Sequence, residues 1–200
     1  NGDIHLKNFL LLLILSSNLV WASGEPTLMS TYPPKLSDMV QKFPHTKHLV
    51  SNCFAYPKIN IEACKELANV DHPGSSYAKH NVGFAYEYGR EGLKKNYTEA
   101  FYWYLRASNQ GNADSCHNLA RMYEFGMGVQ VSLLMAHELY LKAHNTDWWG
   151  HEKSFDRAAI LTLVLMNQRL EKGLLAEKER TEYMNLLKPW QVKAANTYFD

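Results

Sequence analysis

The sequence has almost no net charge and no long run of residues of one sign. Its 21 lysines and arginines are balanced by 20 aspartates and glutamates, which gives a formal net charge of +1 over 200 residues. Non-specific binding of nucleic acid requires a clustered positive surface that neutralises phosphates. The charge distribution therefore predicts no nucleic-acid partner.

Motifs of the common catalytic and metal sites are also scarce. There is no G-x-S-x-G sequence, and Gly126-Met127-Gly128 is not followed by the lysine and serine of a phosphate-binding loop. Zinc needs three or four converging ligands, and the nine histidines form no cluster with cysteine or carboxylate at tight spacing. We therefore expect no enzyme activity, no cofactor and no metal site.

No apolar stretch reaches the roughly 20 residues that a membrane-spanning helix needs. The run from Phe9 to Leu15 is followed by Val20-Trp21-Ala22, which places small residues at the −3 and −1 positions of a signal-peptidase site. This pattern predicts a signal peptide over residues 1–22, cleaved before Ser23, and export to the periplasm or outside the cell without a stable membrane span. An uncleaved anchor is the alternative.

Residues 23–45 have the composition of a tether. Prolines recur through this stretch, at Pro26, Pro33, Pro34 and Pro44, and glycine, serine and threonine add residues that favour turns. We expect at most one short helix here, around residues 35–42.

The remainder of the chain has helical periodicity and an internal repeat. Identical residues recur 37 positions apart in the first half of each unit: His80 and His117, Asn81 and Asn118, Tyr86 and Tyr123, Glu87 and Glu124, Gly89 and Gly126. The spacing becomes 36 in the second half: Ala100 and Ala136, Tyr104 and Tyr140, Ala107 and Ala143. Self-similarity of this length is typical of stacked helix hairpins.

This spacing defines a repeat domain over residues 46–150, with repeats at 76–111 and 113–146 and a degenerate repeat at 46–74. Residues 151–200 are expected to form capping helices, since terminal repeats of a solenoid cover its exposed apolar end. The residues expected to maintain the repeats are small or aromatic residues at packing positions and glycines at helix ends: Ala78, Gly83, Tyr86, Gly89, Ala100, Tyr104, Ala107, Gly111, Tyr123, Gly126, Ala136, Tyr140 and Ala143.

The repeat alignment also bears on the three cysteines. Cys53 lies at the end of one helix of the degenerate repeat and Cys64 near the start of the next, so the two face each other across a hairpin. An oxidising compartment permits a disulfide between them and leaves Cys116 unpaired. Three buried free thiols are the alternative.

The combined pattern resembles the Sel-one-like repeat. The first unit carries Ala78, Gly83, Tyr86, Gly89, Asn96-Tyr97, Ala100, Trp103-Tyr104, Ala107 and Gly111, and the second carries Leu119, Tyr123, Gly126-Met127-Gly128-Val129, Ala136, Tyr140 and Ala143. The resemblance implies an all-α, right-handed α-solenoid of helix hairpins related to tetratricopeptide repeats. It also implies a protein-binding scaffold or adaptor.

In this repeat class the first helix of each unit lines the concave face. Positions on that helix outside the packing stripe are candidate partner contacts: His80, Phe84, Glu87, Tyr88, His117, Arg121, Glu124 and Phe125. Glu87 and Glu124 are expected to be exposed there as two equivalent acidic side chains. Their aromatic neighbours either contact a partner or fill the core between repeats.

Together with the predicted signal peptide, the resemblance implies an exported, non-enzymatic scaffold that binds proteins of a bacterial periplasm or cell envelope. Two alternatives stay open. One is a secreted protein of this repeat class that binds or hydrolyses cell-wall or β-lactam-type ligands. The other is a luminal adaptor of a eukaryotic secretory pathway, where the exposed sequon Asn96-Tyr97-Thr98 would be a glycosylation site.

Overall fold

The computed structural model of the chain describes residues 36–55, 58–144 and 151–198, all within one compact unit. The predicted signal peptide and residues 23–35 of the predicted tether lie outside the described residues. Within the described residues every regular element is a helix, which confirms the all-α prediction.

Ten α-helices follow one another along these segments, with a single 3₁₀ turn at Pro44–Thr46 between the first two. Their bounds are α1 Leu36–Lys42, α2 Lys47–Cys53, α3 Ile61–Ala68, α4 Ser75–Tyr88, α5 Tyr97–Asn109, α6 Ala113–Phe125, α7 Leu133–His144, α8 His151–Glu171, α9 Glu177–Met184 and α10 Pro189–Asn196.

From α2 to α8, each helix packs against the one before it and the one after it. The pairs α2–α3, α4–α5 and α6–α7 are three consecutive helix hairpins, as expected for a solenoid of helix hairpins. Helix α8 then packs on α7, and α9 and α10 pack on α8. Of the described helices, none is both long and apolar enough to cross a membrane.

Local sequence explains where these helices start and stop. Asn60, Asn96 and Asn112 precede α3, α5 and α6, and each side-chain oxygen accepts hydrogen bonds from backbone N–H groups of the first turn. Gly89 and Gly126 end α4 and α6 in the left-handed conformation, with φ of 63° and 67°. Glycine adopts this conformation without steric cost, so both helices end at equivalent repeat positions.

The core between the helices consists of alanines packed around two large tyrosines. Tyr104 and Tyr140 are 0% and 1% exposed, and the alanines at equivalent positions beside them are fully buried. A Cβ atom on Gly83 would lie 2.8 Å from Cδ1 of Tyr104, so the absence of a side chain there lets α4 and α5 approach each other closely.

The Cys53–Cys64 disulfide joins α2 to α3, as predicted from the repeat alignment, with 4.6 Å between the two Cα atoms. Cys116 is buried on α6 with a free thiol. Burial raises the pKa of that thiol, which keeps it protonated and unreactive at neutral pH.

Residues 36–45, placed in the tether by the sequence analysis, contact the repeat domain, and α1 at Leu36–Lys42 corresponds to the short helix expected around residues 35–42. Met39 of α1 is 4% exposed and belongs to the same apolar cluster as the disulfide. The ring of Phe43 lies 4.7 Å from the ring of His72, in an edge-to-face contact. Apolar burial therefore joins residues 36–45 to the repeat domain despite their proline-rich surroundings.

Candidate protein-interaction surface

Glu87 of α4 lies in the interior and is held by side chains of two other helices. It is 3% exposed, its Oε2 accepts a 2.8 Å hydrogen bond from the hydroxyl of Tyr104, and its Oε1 accepts one of 3.3 Å from Arg121. Burial and the nearby carboxylate raise the pKa of Tyr104, so the phenol remains a hydrogen-bond donor. The network joins α4 and α5 of one repeat to α6 of the next.

Glu124 repeats this arrangement one unit later. Its Oε2 accepts a 2.7 Å hydrogen bond from the hydroxyl of Tyr140, and the carboxylate forms an ion pair with Arg157 of α8. Its Oε1 also accepts a 2.6 Å hydrogen bond from the hydroxyl of Tyr198, which follows α10. Helix α8 therefore supplies the arginine that α6 supplies in the preceding unit.

The expectation that Glu87 and Glu124 form an exposed acidic surface is wrong. Both carboxylates are buried, at 3% and 4% exposure, and each has an arginine from the following unit as its counter-ion. A buried charge is stable only when it is paired and hydrogen-bonded, so these glutamates connect repeats and cannot contact a partner.

His80 and His117 are half-buried and also link successive units. The Nδ1 atom of His80 lies 3.0 Å from Oγ of Ser115, and that of His117 lies 2.8 Å from Oγ of Ser154. Burial, with a smaller contribution from nearby cations, lowers the pKa of His117 to about 4. Both imidazoles therefore contribute to the contact between successive units and are only partly exposed.

Two predicted contact residues are exposed: Tyr88 and Phe125, the last residues of α4 and α6. Their exposed fractions are 46% and 60%, and they occupy the same position in successive repeats. Phe84 lies beside Tyr88, with 4.6 Å between the ring centroids. We call Phe84, Tyr88 and Phe125 the aromatic surface.

Sequence reasoning missed the cations that accompany the aromatic surface. The guanidinium of Arg90 lies 5.0 Å from the ring centroid of Phe84 and 5.6 Å from that of Tyr88. Arg157 lies 5.8 Å from the ring centroid of Phe125 while it pairs with Glu124. Arg121, which the sequence analysis named as a candidate partner contact, is half-buried and pairs with Glu87. The recurrence of a glutamate with a tyrosine could have indicated the buried Glu–Tyr contacts, but no comparable sequence signal identified Arg157.

The described residues contain no group of three or more potential metal ligands. Ser76 and Lys79 have the S-x-x-K spacing of some serine acyl-enzymes. In the structure the ammonium of Lys79 donates a 2.8 Å hydrogen bond to Gln110, and among the described residues no hydrogen bond joins it to Ser76. The pair therefore lacks the geometry of an activated nucleophile.

Comparison with known proteins identifies the repeated region. Residues 76–112 and 113–143 match the model of the Sel1 repeat. Human protein sel-1 homolog 2 is 36% identical over 79 residues, which cover 39% of this chain and 11% of that protein. HRD3A of Arabidopsis thaliana, named as an ERAD-associated E3 ubiquitin-protein ligase component, is 34% identical over 74 residues, 37% of this chain and 11% of its own length. The chain thus spans 11% of the length of each relative.

Proposed function

We propose that this chain, whose residues 76–143 match the Sel1 repeat, acts as a non-enzymatic adaptor that binds partner proteins through the aromatic surface. The repeats supply a rigid support, because each buried glutamate connects three helices. A rigid support of this kind holds side chains at a fixed spacing, which suits recognition better than a mobile loop does.

The proposal rests on the exposure of Tyr88 and Phe125. Large aromatic residues at the surface of a folded domain are typical of binding hot spots, and arginine is enriched beside them. The two aromatic residues occupy the same repeat position, and each has an arginine nearby from a different part of the chain: Arg90 of the α4–α5 loop beside Tyr88, and Arg157 of α8 beside Phe125. A partner helix or extended segment that lies across α4 and α6 would contact both aromatic rings.

For the compartment, we propose export into the lumen of a secretory pathway. The Cys53–Cys64 disulfide fits an oxidising environment, and the relatives named as ERAD-associated ligase components favour the luminal reading over a bacterial cell envelope. N-terminal sequencing and protease protection of the full chain in its source organism test this. A chain that begins near Ser23 and resists added protease until membranes are permeabilised is the expected result.

Site-specific photo-crosslinking tests the binding surface. A photoreactive phenylalanine analogue replaces Tyr88, Phe125 or, as the control, Leu134, which is 57% exposed on α7. We expect the same partner to crosslink at positions 88 and 125 and not at 134. The double variant Tyr88→Ser, Phe125→Ser should then weaken capture of that purified partner roughly tenfold or more. Equal capture by this double variant and by Leu134→Ser would contradict the proposal.

A further inference from the structure

A pocket of about 490 Å³ lies where the C-terminal ends of α3 and α5 meet α4. Its lining includes Lys79 of α4 and Arg106 of α5, together with amide side chains from the two helix ends. Asn69, Val70 and Gln110 on its wall are all exposed, so the pocket is shallow and open to solvent.

Lys79 is almost completely buried in this wall, and no acidic side chain in the described part of the chain forms an ion pair with it. It is 5% exposed, and its ammonium donates a 2.8 Å hydrogen bond to the neutral amide oxygen of Gln110. An ammonium has three N–H donors, and a buried charge is costly unless an opposite charge accompanies it. Across the described segments no carboxylate oxygen lies within 4 Å of the Lys79 ammonium.

Arg106 places a second positive charge at the same pocket. Its Nη2 donates a 3.1 Å hydrogen bond to Oδ1 of Asn69, and its guanidinium lies 5.0 Å from the ring centroid of Trp103 and 5.4 Å from that of Tyr102. These contacts fix its orientation without neutralising it. Among the described residues it too has no carboxylate within 4 Å.

We propose that this pocket binds the side-chain carboxylate of a glutamate or aspartate in a partner polypeptide. The source of that carboxylate rests on the proposed adaptor function, whereas the site itself rests on two cations that pair with no carboxylate of the described residues. An open pocket lets a segment continue on both sides of the bound residue, which suits a side chain better than a chain terminus. Asp71 on the wall favours a ligand with one negative charge over a phosphate dianion.

The neighbouring groups fit a peptide that carries this carboxylate. The amide nitrogen of Gln110 can donate a hydrogen bond to a peptide carbonyl, while its oxygen accepts from Lys79; the side chain of Asn69 already bonds to Arg106 and to the backbone oxygen of Lys65. Val70 is 38% exposed and Tyr102 is 50% exposed. Apolar side chains of the partner peptide, next to its acidic residue, could therefore pack against these two residues. The carbonyl groups at the ends of α3 and α5 also favour cations, and the experiment has to separate this structural role from ligand binding.

Binding of synthetic peptides to the immobilised full chain tests the site. The probe is a biotinylated peptide of repeated Glu-Gly-Ser units with an amidated C-terminus. One control peptide has glutamine in place of every glutamate and keeps the amidated C-terminus. A second control has the same glutamine sequence but a free C-terminal carboxylate. The protein variants are Lys79→Gln and Arg106→Gln, with Lys94→Gln as the matched control, since Lys94 is an exposed cation of the α4–α5 loop.

We expect the glutamate peptide to bind more tightly than either control peptide, and each pocket variant to weaken it roughly tenfold or more while Lys94→Gln has no effect. Preference for the free C-terminus would overturn the side-chain assignment. Equal binding to the pocket variants and the parent chain, together with reduced melting temperatures for those variants, would show that the cations only stabilise helix ends. Neither result bears on capture through Tyr88 and Phe125, so the two proposals fail separately.

Discussion

The hydroxyl of Tyr104 donates a 2.8 Å hydrogen bond to the carboxylate of Glu87, and both side chains are buried. Tyr140 and Glu124 repeat the contact at 2.7 Å in the next unit. In each case an arginine from the following unit completes the site. The repeats are therefore connected by a recurring polar contact as well as by apolar packing.

Glu87→Gln should destabilise the protein while leaving the helices in place. The amide keeps the shape of the side chain but removes the charge that pairs with Arg121, so we expect a loss of roughly 1–3 kcal/mol in unfolding free energy. Glu138→Gln, at an exposed position on α7, should change it by less than about 0.5 kcal/mol. Urea denaturation measures both. Equal effects would mean that the buried carboxylate does not stabilise the fold.

Gly128→Ala should be more damaging than alanine at another glycine of positive φ. A Cβ atom on Gly128 would lie 2.6 Å from the backbone carbonyl carbon of Tyr97, where the second repeat packs on the start of α5. Gly92 has a comparable φ of 82° but open space around it. We expect Gly92→Ala to lower the unfolding free energy by about 1 kcal/mol and Gly128→Ala by several times that, because the backbone contact cannot relax.

Thermal unfolding compares these two variants directly. If Gly128→Ala melts at the same temperature as Gly92→Ala, the close contact between the second repeat and α5 is not required for stability.

Reduction of the disulfide should destabilise the N-terminal hairpin. The bond closes a loop between residues 11 positions apart, and the chain-entropy model assigns such a loop roughly 2–3 kcal/mol. Guanidinium denaturation with and without reductant measures the difference. Cys116→Ala should retain this response to reductant, whereas Cys53→Ala with Cys64→Ala should abolish it. Non-reducing peptide mapping that finds Cys116 in a disulfide would contradict the assignment.

Stability should decline as the pH falls below neutrality. Burial lowers the pKa of His137 to about 4 from the ordinary 6.5, so only the unfolded chain gains a proton on this residue between those values. The stabilisation is fully present above pH 6.5 and is lost progressively as the pH falls towards 4, by roughly 1 kcal/mol near pH 5.5.

A variant series isolates this contribution. His137→Gln should reduce the pH dependence of the melting temperature, while His48→Gln, at an exposed position, should leave it unchanged. If the melting temperature of His137→Gln falls between pH 7 and 5 as steeply as that of the parent chain, groups other than His137 cause the decline.

Much of the architecture could be predicted because its determinants are local or periodic. Asn96 and Gly89 mark helix ends through hydrogen bonds and backbone conformations that involve only nearby residues. The spacing of 36 or 37 residues placed equivalent positions on equivalent helices, and it brought Cys53 opposite Cys64. The same alignment placed Tyr88 and Phe125 at equivalent positions, but it left open whether they lie in the core or at the surface.

The environment of Glu87 and Glu124 could not be obtained in this way. Periodicity assigns a residue to one face of a helix. Glu87 and Glu124 lie at the edge of the packing face, where burial depends on which side chains of the following unit cover them. The groups that decide are Arg121, Arg157 and Tyr198, and Tyr198 lies 74 residues after the glutamate it contacts. The sequence by itself determined the helices, their caps and their repeat, since those depend on neighbours along the chain. Only the tertiary structure decided which charges are buried, because the counter-ion that makes burial of a carboxylate tolerable comes from another unit.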